Sequence, residues 1–475
     1  DEQLYCEAMT DNAYTKQPND FTQNIGNGSY STADSYVKQV WDGRYTGIRM
    51  CNQLLENIDR VPDLDPELKK RYIGEAKVLR AYSYYELYTK FGDIPYTTKV
   101  LSIKESMSIA RTAKATVIAN VLADLDEVIN GNYLPTSYDA DNKGRITRWA
   151  AMAIKAKIYL FEGNWTQVKN ITSTIMTEGG FKLFGSYAGL FEIANEYNSE
   201  VILDAQYRPT SREHQMMYVF LPPTLGGYSQ LSPLQELVDS YIMLDGKTIK
   251  ETGTSFDESH PYANRDPRLK ATVMYTGNSY TLADGTEVVI NCEKGEGKDG
   301  YGVGSDCSAT GYYIKKYWDN TYRATLYSGL NPILIRYADI LLMNAEALAE
   351  LGELDKTAWD ATIKPIRDRA GFTLASALEF PEGASKDKLI EIVRNERRSE
   401  LALEGHRHKD IIRWRIADNV LNGWCHGLKT NDVVGTDDGY VRVENRTFNA
   451  NKHYLWPIPQ AERDLNGNLE QNPNW

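Results

Sequence analysis

The sequence predicts a mainly α protein: tetratricopeptide-like helical hairpins with loops and small β-sheets packed on top. Three observations carry this prediction. Apolar residues recur at helical spacing in long stretches towards both ends of the chain. Two of these stretches share a hairpin form, in which a helix ends near a Gly and a second helix returns behind it. Between them, from about residue 181 to 330, the texture changes to Gly, Tyr, Thr and Asn with short strand-like runs.

Taken in order, Ser35 to Ile58 reads as a helix carrying Trp41 and Tyr45, with Trp41 assigned to the core. Asp65 followed by Pro66 is an N-cap with Pro at the first helical position, opening a helix to about Lys90. Ala150, Ile154, Ile158 and Phe161 fall on one helical face, as do Leu334, Ala338, Leu341, Leu342, Ala345 and Leu348. The hairpin signals are AKIYLFEGNW at Ala156–Trp165 and AEALAELGEL at Ala345–Leu354, followed by helices to about Thr177 and Ala370. Ser385 caps a helix running to about Glu404. Strand-like runs occupy Glu200–Tyr207 and Glu287–Asn291, and Gly295–Gly304 holds five glycines in ten residues. The expectation is one domain over residues 1–475. In it, 35–180 and 331–475 form a helical scaffold, and 181–330 is a loop-rich section facing a ligand.

Composition narrows the function. The 475 residues include 42% hydrophobic and 25% charged side chains, ordinary for a globular protein. Lys and Arg number 53 against 65 Asp and Glu, and a net charge of -12 repels phosphate backbones, so nucleic acid is not an expected partner. The 32 Tyr and 9 Trp supply rigid apolar faces, most of them needed for the core. No stretch approaches the ~20 apolar residues of a membrane span. The chain starts at Asp1 without a basic and apolar leader, so it reads as processed or trimmed. Its five cysteines show no C-x-x-C spacing, which disfavours zinc and a disulfide framework. Cys292 and Cys307 flank the Gly-rich loop, where a bridge and free thiols both stay open.

The chemical motifs read as structural. Gly295-Glu-Gly-Lys-Asp-Gly300 matches G-x-G-x-x-G but opens no helix that would receive a pyrophosphate. Asp139-Ala-Asp-Asn-Lys-Gly144 begins like a calcium loop, yet the twelfth position is Ala150, so it reads as an Asx-turn. Glu396, Glu400 and Glu404 share a helical face, with Arg394, Arg397, Arg398, Arg407, Arg413 and Arg415 nearby. Such pairing lowers carboxylate pKa values, the wrong direction for the general acid of a glycosidase, and points to an ion-pair network. His406, His408 and Asp410 read as helix-end and network residues rather than metal ligands. No nucleophile elbow, H-E-x-x-H helix or Walker A loop occurs, and no enzyme activity is expected.

The strings NPILIRYADILLMNAEALAELGEL from Asn331, IRDRAG at Ile366–Gly371, RNERRSELALEGHRHKDIIRW at Arg394–Trp414 and YLWPIPQAERDLNGNLEQNPNW at Tyr454–Trp475 belong together. With EAKVLRAYSYYELYTKFGDIPY (75–96), GRITRWAAMAIKAKIYLFEGNW (144–165), LVDSYIMLDGK (237–247) and YANRDPRLKATVMYTG (262–277), they closely resemble the SusD/RagB family of Bacteroidetes outer-membrane lipoproteins. The resemblance is colinear over nearly the whole chain. It implies an α/α superhelix of hairpins, held on the outer face of the outer membrane by a lipid on a cysteine upstream of this chain. It also implies a SusC-like TonB-dependent transporter as partner and an oligosaccharide or starch-like polysaccharide as ligand for nutrient uptake, or peptides in a RagB-like branch. No cofactor is implied; a structural calcium ion stays open. Sugar-stacking aromatics in this family come from broadly two loop regions, here 11–30 and 275–322. The candidates are Tyr30, Tyr275, Trp318 and Tyr322, then Tyr14, Asp11 and Tyr280, within stretches that also hold Asn12, Asn19, Gln23, Tyr301 and Tyr317.

Overall fold

A computed structural model describes residues 2–16, 21–321 and 326–475, and the chain forms two compact units. One comprises Gly28–Gly179, Ile412–Asp418 and Phe448–Trp475; the other comprises Asp1–Asn27, Gly180–Ile411 and Asn419–Thr447.

The first unit is helical: α1 Ser35–Asn57, α2 Pro66–Phe91, α3 Lys114–Asn130, α4 Arg148–Phe161 and α5 Trp165–Glu178. Each helix packs on the next, the arrangement of successive hairpins. Their starts follow from capping chemistry. Asp34, Asp65, Thr147 and Asn164 each accept a bond from a first-turn amide, satisfying donors that have no intrahelical partner. Pro66 stands at the first position of α2, as its spacing predicted. The second half of α2 is buried on nearly every side, through Ala81, Tyr84, Tyr85, Leu87, Tyr88 and Phe91. The closing motif of the chain seals the C-terminal end of this helix. Trp456 N–H donates to Lys90 O (2.7 Å), and Asn472 Nδ2 donates to Phe91 O (2.9 Å) and Trp456 O (2.7 Å). Trp41 lies in the core, edge-on to Phe91 at 5.0 Å between ring centres.

The second unit carries the helices α6 Tyr337–Leu351, α7 Lys356–Ala361, α8 Ile363–Ala370 and α9 Lys386–Glu400. Gly352 ends α6 with φ 73°, a left-handed C-cap that glycine adopts without strain. Ser385 caps α9 through Lys388 N–H (3.2 Å). Short strands complete the unit: β1 Ala13–Thr15, β2 Val201–Asp204, β3 Leu231–Pro233, β4 Val273–Met274, β5 Ser279–Thr281, β6 Glu287–Val289, β7 Tyr313–Ile314 and β8 Ile333–Arg336. The last three are β9 Gly423–Lys429, β10 Thr436–Asp437 and β11 Tyr440–Arg446. All pairings are antiparallel: β1 with β3, β2 with β8, β4 with β7, β5 with β6, and β11 between β10 and β9. Both strand-like runs read from the sequence are therefore strands.

The grouping differs from the division read along the chain, because α6–α9 belong with the loop-rich section rather than with α1–α5. The reason is a buried ion-pair network. Arg268 pairs with Glu396 (2.7 Å), Glu400 (2.9 Å) and Asp266 (2.7 Å). Arg336 pairs with Glu200 (2.7 Å), Glu400 (2.6 Å) and Glu404 (2.7 Å), and Lys316 with Glu404 (2.6 Å). Arg369 also binds Glu400, and Arg397 bridges Asp339 (2.6 Å) and Asp410 (2.9 Å). Charges buried this deeply are tolerated only when paired and hydrogen-bonded. The network thus ties α9 to residues 200–336.

Candidate ligand-binding cleft

A cleft of about 1040 Å³ opens in the second unit, a volume suited to a small ligand. Its aromatic wall follows from strand register. Val273 pairs with Ile314 and Met274 with Tyr313, so Tyr275 and Tyr312 emerge at the same end of the β4–β7 ribbon. Tyr262 stacks on Tyr275, with ring centres 4.0 Å apart and planes 17° apart, and meets Tyr312 edge-on at 6.4 Å. Tyr312 is fully buried; its hydroxyl donates to Gln235 Oε1 (2.6 Å) and lies 3.2 Å from that of Tyr262. Gly311, at φ 78°, precedes it where a Cβ would stand 1.8 Å from Leu428 Cδ2. Across the cleft Tyr440 leads β11, with Lys429 Nζ 5.3 Å from its ring centre.

The rim is polar and largely self-neutralised. Lys429 pairs with Glu258 (3.0 Å) and Lys294 with Asp432, beside His260, Asn278 and Glu296. Burial pushes the Tyr275 phenol above its ordinary pKa, so it stays a neutral hydrogen-bonding group. A second aromatic surface in the same unit is more open. Tyr218 and Tyr228 lie 4.3 Å apart, and Tyr228 and Tyr327 are 38% and 39% exposed. A hydrogen bond between the Tyr218 and Tyr228 hydroxyls raises the Tyr218 pKa, with Asp306 close enough to add to the effect.

Of the candidates named from the sequence, Tyr275 lines the cleft. Three others are corrected. Asp11 is buried: burial alone would raise its pKa, but Arg398 (3.0 Å) and Arg407 (2.8 Å) hold it well below the usual carboxylate range. Tyr30 is packed in the first unit against His453 and Trp475, at 5.2 and 4.7 Å. Tyr280 is fully buried and its hydroxyl donates to Ile314 O (2.7 Å). Tyr317 is buried too. Trp318 is half-buried, its indole N–H donating to Thr281 O (2.8 Å). Tyr14 is half-buried on β1, where Gln23 Nε2 reaches its hydroxyl at 3.4 Å. Tyr322 and Asn19 lie outside the described residues. Sequence reasoning missed Tyr262, Tyr312, Tyr440, Tyr218, Tyr228 and Tyr327. Tyr262 opens one of the quoted motif strings, but nothing in that string separates a cleft ring from a core ring.

The acidic and histidine-bearing motifs are structural where described. Glu396, Glu400 and Glu404 are the buried network above, and Asp410 is taken by Arg397. Asp139 forms the Asx-type cap, accepting from Asn142 N–H (3.0 Å). All five cysteines are free thiols. Among the described residues no group of three or more His, Cys, Asp or Glu is arranged to hold a metal ion, and no helix is long and apolar enough to cross a membrane.

A loop-built cleft lined by tyrosine, with the rim carboxylates Glu258 and Asp432 paired to lysines, has the character of a binding surface, in a chain whose helices form successive hairpins. A family model described as the SusD family matches residues 190–475, and one described as starch-binding associating with outer membrane matches residues 1–160. The chain belongs to the SusD family. A SusD-like protein of Formosa agariphila is 28% identical over 409 residues, covering 81% of this chain and 71% of its own. A SusD-like carbohydrate-binding protein of Bacteroides fragilis is 28% identical with a TM-score of 0.88, over 98% of this chain and 93% of that one. A laminarin-binding SusD-like protein, 24% identical, shares the fold at a TM-score of 0.74, over 99% and 93% of the two chains.

Proposed function

We propose that this protein is a cell-surface glycan-binding protein that holds an oligosaccharide and passes it to a SusC-like TonB-dependent transporter of the outer membrane, without catalysis. The observation that carries this reading is the cleft of Tyr262, Tyr275 and Tyr440, flat rings edged by short polar side chains. Sugars present apolar C–H faces bounded by hydroxyls, and rings beside amide and hydroxyl groups match both. The half-buried Tyr218 with the exposed Tyr228 and Tyr327 offers a second surface of the same chemistry. The carbohydrate and laminarin binding of two relatives supports the ligand class. A lipid anchor upstream of residue 1, on the extracellular face, completes the reading, and display of many copies would offset the weak affinity of an open sugar site.

Calorimetric titration with a panel of oligosaccharides, β-glucans included, tests the ligand. Binding of one class is expected, with Tyr275→Ala weakening it about 2–10-fold, as loss of one aromatic contact predicts. Heat from no glycan, with binding of peptides instead, would establish the RagB-like alternative. Co-purification under mild detergent tests the partner: recovery of the protein alone counts against the transporter.

A further inference from the structure

The first unit holds its own concavity, about 650 Å³, where the end of α2 and the start of α3 meet residues 412–415 and 454–473. Its charge runs against the background. In a chain of net charge -12, the lining sets Arg111, Lys114, Arg413 and Arg415 against the carboxylates of Asp93 and Glu470. Arg111 is spent on structure, donating to Asp93 O (2.7 Å), Glu470 O (2.8 Å) and Asn472 Oδ1 (2.6 Å). Lys114 pairs with Glu162 (2.9 Å).

Arg415 is different. Its backbone is left-handed, at φ 57°, a conformation that costs a non-glycine residue on the order of 1 kcal/mol and persists only where the surroundings enforce it. The guanidinium carbon lies 3.6 Å from the centre of the Tyr454 ring. Among the described residues no oxygen accepts from the Arg415 guanidinium N–H groups; its backbone N–H donates to Ile412 O (3.2 Å). A guanidinium held by its face keeps its planar N–H edge for a bidentate acceptor. In the same lining, the Tyr88 hydroxyl is buried with no hydrogen-bond partner among the described residues, a donor that a water or a bound group would satisfy.

From these three observations we propose that the concavity is a second binding site, for a ligand bearing a carboxylate and of the size of a uronic-acid mono- or disaccharide. The carboxylate takes the Arg415 edge, and the Tyr88 hydroxyl donates to the ligand. Asp93 and Glu470 are the like charges that limit affinity.

The full chain is titrated calorimetrically with digalacturonate and with its carboxyl-reduced, neutral counterpart. The acid is expected to bind at least tenfold more tightly. Arg415→Gly suits the left-handed backbone, so it keeps the fold while abolishing the preference; Arg415→Lys keeps the charge but loses most of the affinity. Glu470→Gln tightens binding. Tyr88→Phe weakens it several-fold while leaving the melting temperature unchanged or raised. Equal affinity for the two sugars, or indifference to both Arg415→Gly and Tyr88→Phe, overturns the proposal. So does binding of a peptide through its C-terminal carboxylate in place of the uronate. Retained binding of neutral glycan in Arg415→Gly separates this result from the reading of the tyrosine cleft.

Discussion

At Glu400 three guanidinium groups, those of Arg268, Arg336 and Arg369, converge on one buried carboxylate. Burial would raise its pKa, and the three arginines overcome that, holding it well below the ordinary range. Glu400→Gln keeps the shape and removes the charge, leaving buried cations short of an anion. A loss of about 3–5 kcal/mol in unfolding free energy is expected from urea titration. The pH dependence has two limbs. Asp11, Glu396, Glu400 and Glu404 are depressed, so their stabilisation is present above their ordinary pKa values and lost as pH falls. Glu7 is the opposite case. Burial pushes it up to about 7, against hydrogen bonds from Asn12 Nδ2 (2.8 Å) and Gly405 N–H (2.7 Å). Its contribution is complete below the ordinary value of 4.5 and is lost as pH rises through about 7. The urea midpoint should therefore climb from pH 3 to 5, and from 5 to 8 Glu7 should pull it down against the opposite effect of the buried His214 and His453, whose pKa values are depressed. Relative to the parent, Glu7→Gln should raise the midpoint at pH 8 against that at pH 5 and keep the acid limb; an unchanged difference between pH 5 and 8 in that variant would refute the assignment.

Among the elements, helix ends and close approaches set the local costs. Asp65 accepts from Leu68 N–H at 2.8 Å, so Asp65→Ala should cost about 1 kcal/mol by loss of the N-cap. Gly352→Ala meets no atom within 4 Å, yet its φ of 73° puts alanine in the left-handed region, at about 1 kcal/mol. Gly311→Ala should cost clearly more than either, because the same strain is joined by a collision with Leu428. Thermal melts of the three variants test this order, and Gly311→Ala no worse than Gly352→Ala would contradict the packing argument. These sites differ in legibility. Asp65-Pro66 and the Gly after AEALAEL are local signals, whereas Gly311 is constrained by a residue more than a hundred positions away.

For the molecule as a whole, the two compact units were not visible along the chain. The helices were legible at both ends, but their allocation depends on which partners their buried charges and apolar faces find. That the chain behaves as one domain is a proposal, and calorimetry checks it. A single transition is expected, with calorimetric and van't Hoff enthalpies equal; two resolved transitions would refute it.

The sequence by itself determined the hairpins, the caps, the ionic character of the Arg394–Arg407 segment and the family, because each is written in residues close together or in a long colinear pattern. Only the tertiary structure decided which tyrosines line the cleft and which pack. Tyr275 and Tyr280 stand five residues apart in the same texture, yet one lines the cleft and the other hydrogen-bonds Ile314 in the core. A tyrosine has the same apolar face and hydroxyl in either place. What separates the two is the β4–β7 register and the loops that converge on it, and these contacts are set by residues far away in the chain.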